Sequence, residues 1–179
     1  MKLLAFAASV RTGSVNQKLI QLAVEIAREK GVEVDLADYR EFDMPLYDGD
    51  LEAESGVPDG AIEFKRRLES VDGLMISLPE YNHSIPGTLK NTIDWVSRFK
   101  PSPFSGRPGF LMSASPSPFG GIRALWVTRA SLESLGMIIR PEMFSLMKAP
   151  GAFDDQGHLV DSTNAQVFGE LIEAFTNLT

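Results

Sequence analysis

The sequence predicts a single α/β domain, in which a five-stranded, mostly parallel sheet is covered by helices on both faces. Three observations lead there. Short apolar runs alternate with amphipathic segments along the chain, five of each, and right-handed crossovers between parallel strands place such helices on the sheet. Gly and Pro punctuate these segments. The 179 residues suit one domain, spanning 1–179, with no repeat, linker or second unit.

The first strand runs from Lys2 to Ala8, and the first helix from Asn16 to Lys30, with Leu19, Leu22, Ala23 and Ile26 on one face. Gly31 stops that helix, and Val32 to Leu36 forms the second strand. The acidic stretch from Asp38 to Gly60 shows neither strand nor helix period and reads as a long solvated loop. Ala61, Phe64, Leu68 and Val71 mark a second helix, and Gly73 to Leu78 a buried strand ended by Pro79. Pro86 suits a first helical turn, and Leu89, Ile93 and Val96 carry the stripe on to about Phe99. A strand follows over Pro108 to Ser113, and then a helix marked by Leu125, Thr128, Leu132 and Leu135 and closed by Gly136. Met137 to Phe144 is the last strand, and Val167, Phe168, Leu171, Ile172 and Phe175 define the terminal helix.

A formal charge of -7 with no Lys/Arg cluster disfavours nucleic acid and anionic membranes as partners. The absence of cysteine excludes disulfides, thiol nucleophiles, iron–sulfur clusters and thiolate zinc sites. Leu3 to Ala8 is too short for a signal segment, and no stretch approaches the ~20 apolar residues that span a bilayer, so a cytoplasmic location is expected. Two histidines without metal-ligand spacing, and carboxylates at 48 to 54 without the calcium-loop pattern, predict no metal. No G-x-S-x-G elbow supports a hydrolase.

In parallel sheets, ligands bind beyond the carboxyl ends of the strands, where the strand order switches. The first such loop, Ala8 to Asn16, offers the hydroxyls of Ser9, Thr12 and Ser14, the amide of Asn16, the guanidinium of Arg11 and a helix N-terminus. These are the groups a phosphate monoester needs, with a dipole contribution of roughly 0.3 to 2 kcal/mol. Taken singly, Ser14 or Asn16 reads equally well as a helix cap and Arg11 as a solvated charge. The loop fits neither G-x-x-x-x-G-K-[ST] nor G-x-G-x-x-G, which favours a mononucleotide such as FMN. The second loop, Pro79 to Gly87, is stiffened by two prolines and can present fixed backbone groups to a flat heterocycle. His83, within it, reads first as solvated, and His158 as a surface residue. Trp95 and Trp126 are expected in the core or at a subunit interface, and Arg98 and Arg123 as helix-surface charges.

Pro79-Glu80-Tyr81-Asn82, followed by Ser84, Pro86-Gly87, Leu89-Lys90-Asn91 and Ile93-Asp94-Trp95, resembles the motif of the NADPH-dependent FMN reductase family of flavin, quinone, azo and chromate reductases. The first loop is similar to that family's G-S-x-R-x-x-S-x-N, matching at Ser9, Arg11, Ser14 and Asn16, with Ala8 in place of the leading glycine. The third loop, Ser113 to Ala124, resembles the family's flavin-flanking segment, but has Ser117-Pro118 where a glycine commonly stands.

The resemblance covers essentially the whole chain and implies a flavodoxin-like fold of strand order 2-1-3-4-5. It also implies that Ser9, Val10, Arg11, Thr12, Gly13, Ser14, Val15 and Asn16 hold the FMN phosphate. Pro79, Glu80, Tyr81 and Asn82 would contact the isoalloxazine, Ser115 would touch the ring, and no residue would act as a catalytic acid or base. The activity implied is a ping-pong transfer of two electrons from NADPH or NADH through FMN to a small-molecule acceptor: a quinone, free flavin, azo compound or metal oxyanion. A homodimer or homotetramer is implied as well. The competing reading is a flavodoxin-type electron carrier that accepts no hydride. Flavodoxins, however, use a hydroxyl-rich phosphate loop without arginine.

Overall fold

The computed structural model describes residues 1–177. The strands β1 (Lys2–Ala7), β2 (Glu33–Leu36), β3 (Gly73–Ser77), β4 (Pro108–Ala114) and β5 (Ile138–Ile139) lie in the order β2-β1-β3-β4-β5, and β6 (Phe144–Leu146) also pairs with β4. All the pairings are parallel, as crossover helices require. The helices are α1 (Val15–Glu29), α2 (Gly49–Ser55), α3 (Asp59–Glu69), α4 (Gly87–Val96), α5 (Ile122–Glu133) and α6 (Ser162–Thr176).

Side chains alternate across the pleat, so each central strand supplies both faces. Leu4, Phe6, Leu74, Ile76 and Leu111 meet Phe64 and Leu68 of α3, Leu89 and Ile93 of α4, and Leu125 and Leu132 of α5. Leu3, Ala5, Met75, Phe110 and Met112 meet Leu19 and Ala23 of α1 and the terminal helix α6. From α6, Phe168, Ile172 and Phe175 are fully buried, which stabilises the docked helix by ~1.5–3 kcal/mol per side chain.

The structure departs from the sequence reading at two places. Residues 38–60 are not a plain loop. Asp38 caps a 3-10 turn (Tyr39–Phe42) in a reciprocal capping box with Glu41, and Asp48 caps α2. Tyr39 and Phe42 pack on Phe6 and Phe64, which ties the turn to the sheet. The last strand is also split. β5 pairs with the start of β4 and β6 with its end, and the chain leaves the ladder between them at Arg140-Pro141. Proline has no N–H for the ladder and holds the preceding residue off the helical region.

Candidate functional site

Strand register brings three loops side by side. Ala7 is level with Ser77, Ser77 with Met112, and Met112 with Phe144. The ladder continues one step further, with Ala8 N donating to Ser77 O at 2.8 Å and Leu78 N to Met112 O at 3.0 Å. The loops after β1, β3 and β4 therefore leave one edge together, where the strand order reverses between β1 and β3.

In the first loop, Ser14 caps α1 by accepting from Asn16 N at 3.3 Å. Gly13, at φ 69°, supplies the left-handed step before it. Among the described residues, no hydrogen bond takes the N–H groups of Val10, Arg11, Thr12 and Gly13 or the hydroxyls of Ser9 and Thr12. Val10, Arg11 and Thr12 are exposed, and the Arg11 guanidinium reaches only the Gly13 carbonyl, at 3.5 Å. The loop is thus a cluster of unspent donors and one positive charge at a helix N-terminus. Its shape is fixed from outside by Arg40, which donates to the Val10 carbonyl and pairs with Asp38.

Asn16 plays a different part. It is 1% exposed; its Oδ1 accepts from Ala114 N at 2.9 Å and Ser77 Oγ at 3.0 Å, and its Nδ2 donates to Ala114 O at 3.0 Å. The amide joins α1 to the ends of β3 and β4, so its contribution to the loop is position. Ala8, in place of glycine, is 1% exposed and packs in the core without a left-handed φ, so the position makes no demand for glycine.

The second loop is a tight hairpin. Tyr81 and Ser84 exchange both backbone hydrogen bonds, at 3.1 and 3.0 Å, around Asn82 (φ 51°) and His83 (φ 65°). Two successive left-handed residues are what such a two-residue turn requires. Pro79 is buried, whereas Tyr81, Asn82 and His83 are exposed at its tip. The rest of the motif braces the scaffold: Asn91 accepts from Tyr47 N and donates to Pro45 O, each at 2.8 Å, and the buried Trp95 Nε1 donates to the same carbonyl at 2.8 Å.

Glu80 points away from the hairpin tip. Its side chain is 6% exposed and accepts from Arg123 N at 3.2 Å, from Arg123 Nε at 2.9 Å and from Arg123 Nη2. Burial pushes this carboxyl up, but the Arg123 guanidinium and the N–H groups of Arg123 and Ala124 at the start of α5 hold it below the usual carboxylate range. Arg123 also lies 4.6 Å from the Phe119 ring centroid. The sequence reading of Arg123 as a plain surface charge is corrected by this contact. Arg98 remains exposed, yet it pairs with Glu52 at 2.9 Å, so that member of the acidic run is not merely solvated. Trp126 is 57% exposed and outside the core.

In the third loop, Ser115 Oγ accepts from Ser117 N at 3.2 Å, and Ser117 Oγ from Phe119 N at 3.2 Å. Ser117 O accepts from Lys148 N, and Ser115 O from Ala149 N. Ser117-Pro118 is accommodated by these turns. Gly121, the N-cap of α5 at φ 89°, lies so close to Ser113 that a Cβ there would stand 2.0 Å from its Oγ.

A cavity of about 260 Å³ opens beside Val10, between residues 39–44 and Thr88, Asn91 and Thr92 of α4. Hollows of 310 and 390 Å³ lie against α1, but Asp38 lines the first, and Glu25, Asp154 and Asp155 the second, which suits them poorly to a phosphate. No group of three or more metal-ligating side chains occurs among the described residues.

The sequence model of the NADPH-dependent FMN reductase family matches residues 1–151. An NAD(P)H-dependent FMN reductase of Pseudomonas aeruginosa is 35% identical over 176 residues, covering 97% of this chain and 92% of that protein. A quinone reductase of Escherichia coli K12 is 35% identical over 142 residues, covering 73% and 74%. Among solved structures, the flavoenzyme NAD(P)H:(acceptor) oxidoreductase FerB of Paracoccus denitrificans superposes with a TM-score of 0.85 at 26% identity, covering 98% of this chain and 95% of its own. Flavodoxin 1 of Bacillus cereus shares the fold at 13% identity and a TM-score of 0.68, covering 100% and 99%.

Proposed function

The chain belongs to the NADPH-dependent FMN reductase family, and from that premise we propose that it moves two electrons from NADPH or NADH, through FMN at the carboxyl edge of the sheet, to a quinone or another small acceptor. The observation that carries the placement is the first loop: four free N–H groups, two free hydroxyls and Arg11, beside the N-terminus of α1. That donor set fits a phosphate dianion. In this reading Ser9 to Gly13 bind the phosphate, while Ser14, Val15 and Asn16 hold the loop and helix start in place. Pro79 to Asn82 and Ser115 frame the flat ring from the other two loops.

Bound FMN supplies the hydride chemistry. The protein's part is to bind, orient and tune. Arg40 and Asn16 fix the phosphate loop before any ligand arrives, and the hairpin at Tyr81 to Ser84 presents a rigid backbone edge. No side chain is assigned as acid or base: hydride transfer moves no separate proton, and at this open, solvent-exposed face water would supply the one proton that completes a reduced quinone. The exposed tip residues Tyr81 and Asn82 leave a shallow, open face, which suits donor and acceptor taking turns.

No helix among the described residues is long and apolar enough to cross a membrane. The two cores on one sheet support reading the chain as one domain, and the absence of cysteine supports a cytoplasmic location. Exposed Phe119, Trp126 and Val127 beside the site support a homodimer or homotetramer.

The test is an absorbance spectrum of the FMN-reconstituted protein under anaerobic conditions, before and after NADPH, then NADH, with a quinone added last. Bleaching of the flavin band followed by its return is expected. Flavin that binds but stays oxidised with both donors overturns the reductase reading in favour of a carrier.

A further inference from the structure

Among the described residues, one ion pair joins two of the three loops at the carboxyl edge. Glu80 comes from the second loop, and Arg123 from the first turn of α5, directly after the third. The carboxylate makes three hydrogen bonds to Arg123, one of them to its backbone N–H, so it serves as the anionic cap that α5 lacks at Gly121. The guanidinium donates to that carboxylate through Nε and Nη2 and also lies 4.6 Å from the ring centroid of Phe119 in the third loop. Gly121 seals the arrangement from below, with the space for its missing Cβ filled by Ser113 and Glu80.

We propose that the Glu80–Arg123 pair is a positioning and charge-balancing latch: it locks the second loop to the third, and its neutrality sets the reduction potential of the flavin those loops frame. The proposal rests on the FMN reading above. The physical reasoning is electrostatic. Reduction adds negative charge to the cofactor, so a lone Arg123 cation beside the two loops favours the reduced form, and a lone Glu80 carboxylate disfavours it. Glu80 is 6% exposed, so solvent screens its charge weakly. Paired, the charges cancel and leave mainly the α5 N-terminus to act on the ring.

The experiment uses the FMN-loaded full chain at pH 8, above the carboxylate range, and reads two quantities: the midpoint potential against a reference dye, and the FMN dissociation constant by fluorescence titration. Glu80→Gln is expected to raise the potential and Arg123→Gln to lower it, with FMN binding weakened by about tenfold in each. The double variant Glu80→Gln/Arg123→Gln should return to the wild-type potential while still binding FMN more weakly, because charge balance is restored and the latch is not. Single variants with the wild-type potential, or with shifts of the same sign that the double variant does not cancel, overturn the proposal. Should a single neutral variant fail to fold, Arg123→Lys decides: a wild-type potential with weakened FMN binding supports the latch, and a displaced potential overturns it. These outcomes are read against wild-type protein that binds FMN and bleaches with NADPH. Wild-type protein that retains no FMN sinks the functional reading and the latch with it.

Discussion

Replacing Asn16 by alanine removes a side chain that ties α1 to the ends of β3 and β4 by hydrogen bonds. Three hydrogen bonds go with it, leaving the N–H and C=O of Ala114 and the Ser77 hydroxyl without partners at sites 0 to 2% exposed. A buried polar group stripped of its partner costs about 1–3 kcal/mol. The hydroxyl can rotate towards another acceptor and a water can enter the space, so a loss of about 3–5 kcal/mol is expected for the three together. At roughly 2–4 °C per kcal/mol for a domain of this size, the melting temperature should fall by about 6–20 °C. The assay is thermal and urea unfolding of FMN-free protein, so that ligand binding adds nothing to the measured stability. Asn16→Asp is the companion variant. It keeps both acceptor contacts but sets an oxygen against the Ala114 carbonyl, so it should be destabilised as well. An Asn16→Ala protein within about 1 kcal/mol of wild type would refute the reasoning that this amide is a structural strut.

Three further outcomes are expected. Arg11→Ala should weaken FMN binding by about 10- to 100-fold, the worth of a charge-assisted phosphate contact, while leaving riboflavin binding unchanged; equal losses for both ligands in a calorimetric titration would move the phosphate elsewhere. Gly121→Ala forces a left-handed φ on an L side chain and drives its Cβ into Ser113, so a loss of about 2–4 kcal/mol should appear in urea unfolding, and a loss below 1 would mean that the cap relaxes freely. Because the folded state holds the Glu80 carboxyl below its unfolded value of about 4.3, its contribution is complete above that pH and disappears as the pH falls through the lowered pKa. Glu80→Gln should therefore flatten the acid limb of the stability profile, and an unchanged limb between pH 5 and 2 would dissociate this carboxyl from acid unfolding.

The sequence by itself determined the layering of the fold and singled out the three loops that form the candidate site. Apolar runs such as Leu3 to Ala8 and Gly73 to Leu78 are local signals of strands covered on both faces, and the stripes Leu19 to Ile26 and Phe168 to Phe175 are local signals of docked helices. Hydroxyls, Arg11 and a helix start lie within nine consecutive residues, so the donor set proposed to hold a phosphate is legible without knowing what surrounds it. The capping box Asp38-Tyr39-Arg40-Glu41 was also written in the sequence, as a D-x-x-E spacing, but it lies in an acidic stretch whose period is hidden because α2 buries no residue. What only the tertiary structure decided is the division of labour among those loop residues. Asn16 meets Ala114 across 98 positions, and Glu80 meets Arg123 across 43, separations at which sequence spacing carries no information. A carboxylate or an amide becomes a ligand contact or a strut according to what the sheet register sets beside it. Here the parallel register of β1, β3 and β4 turns Asn16 and Glu80 inward, and leaves Arg11, Tyr81 and Asn82 facing solvent.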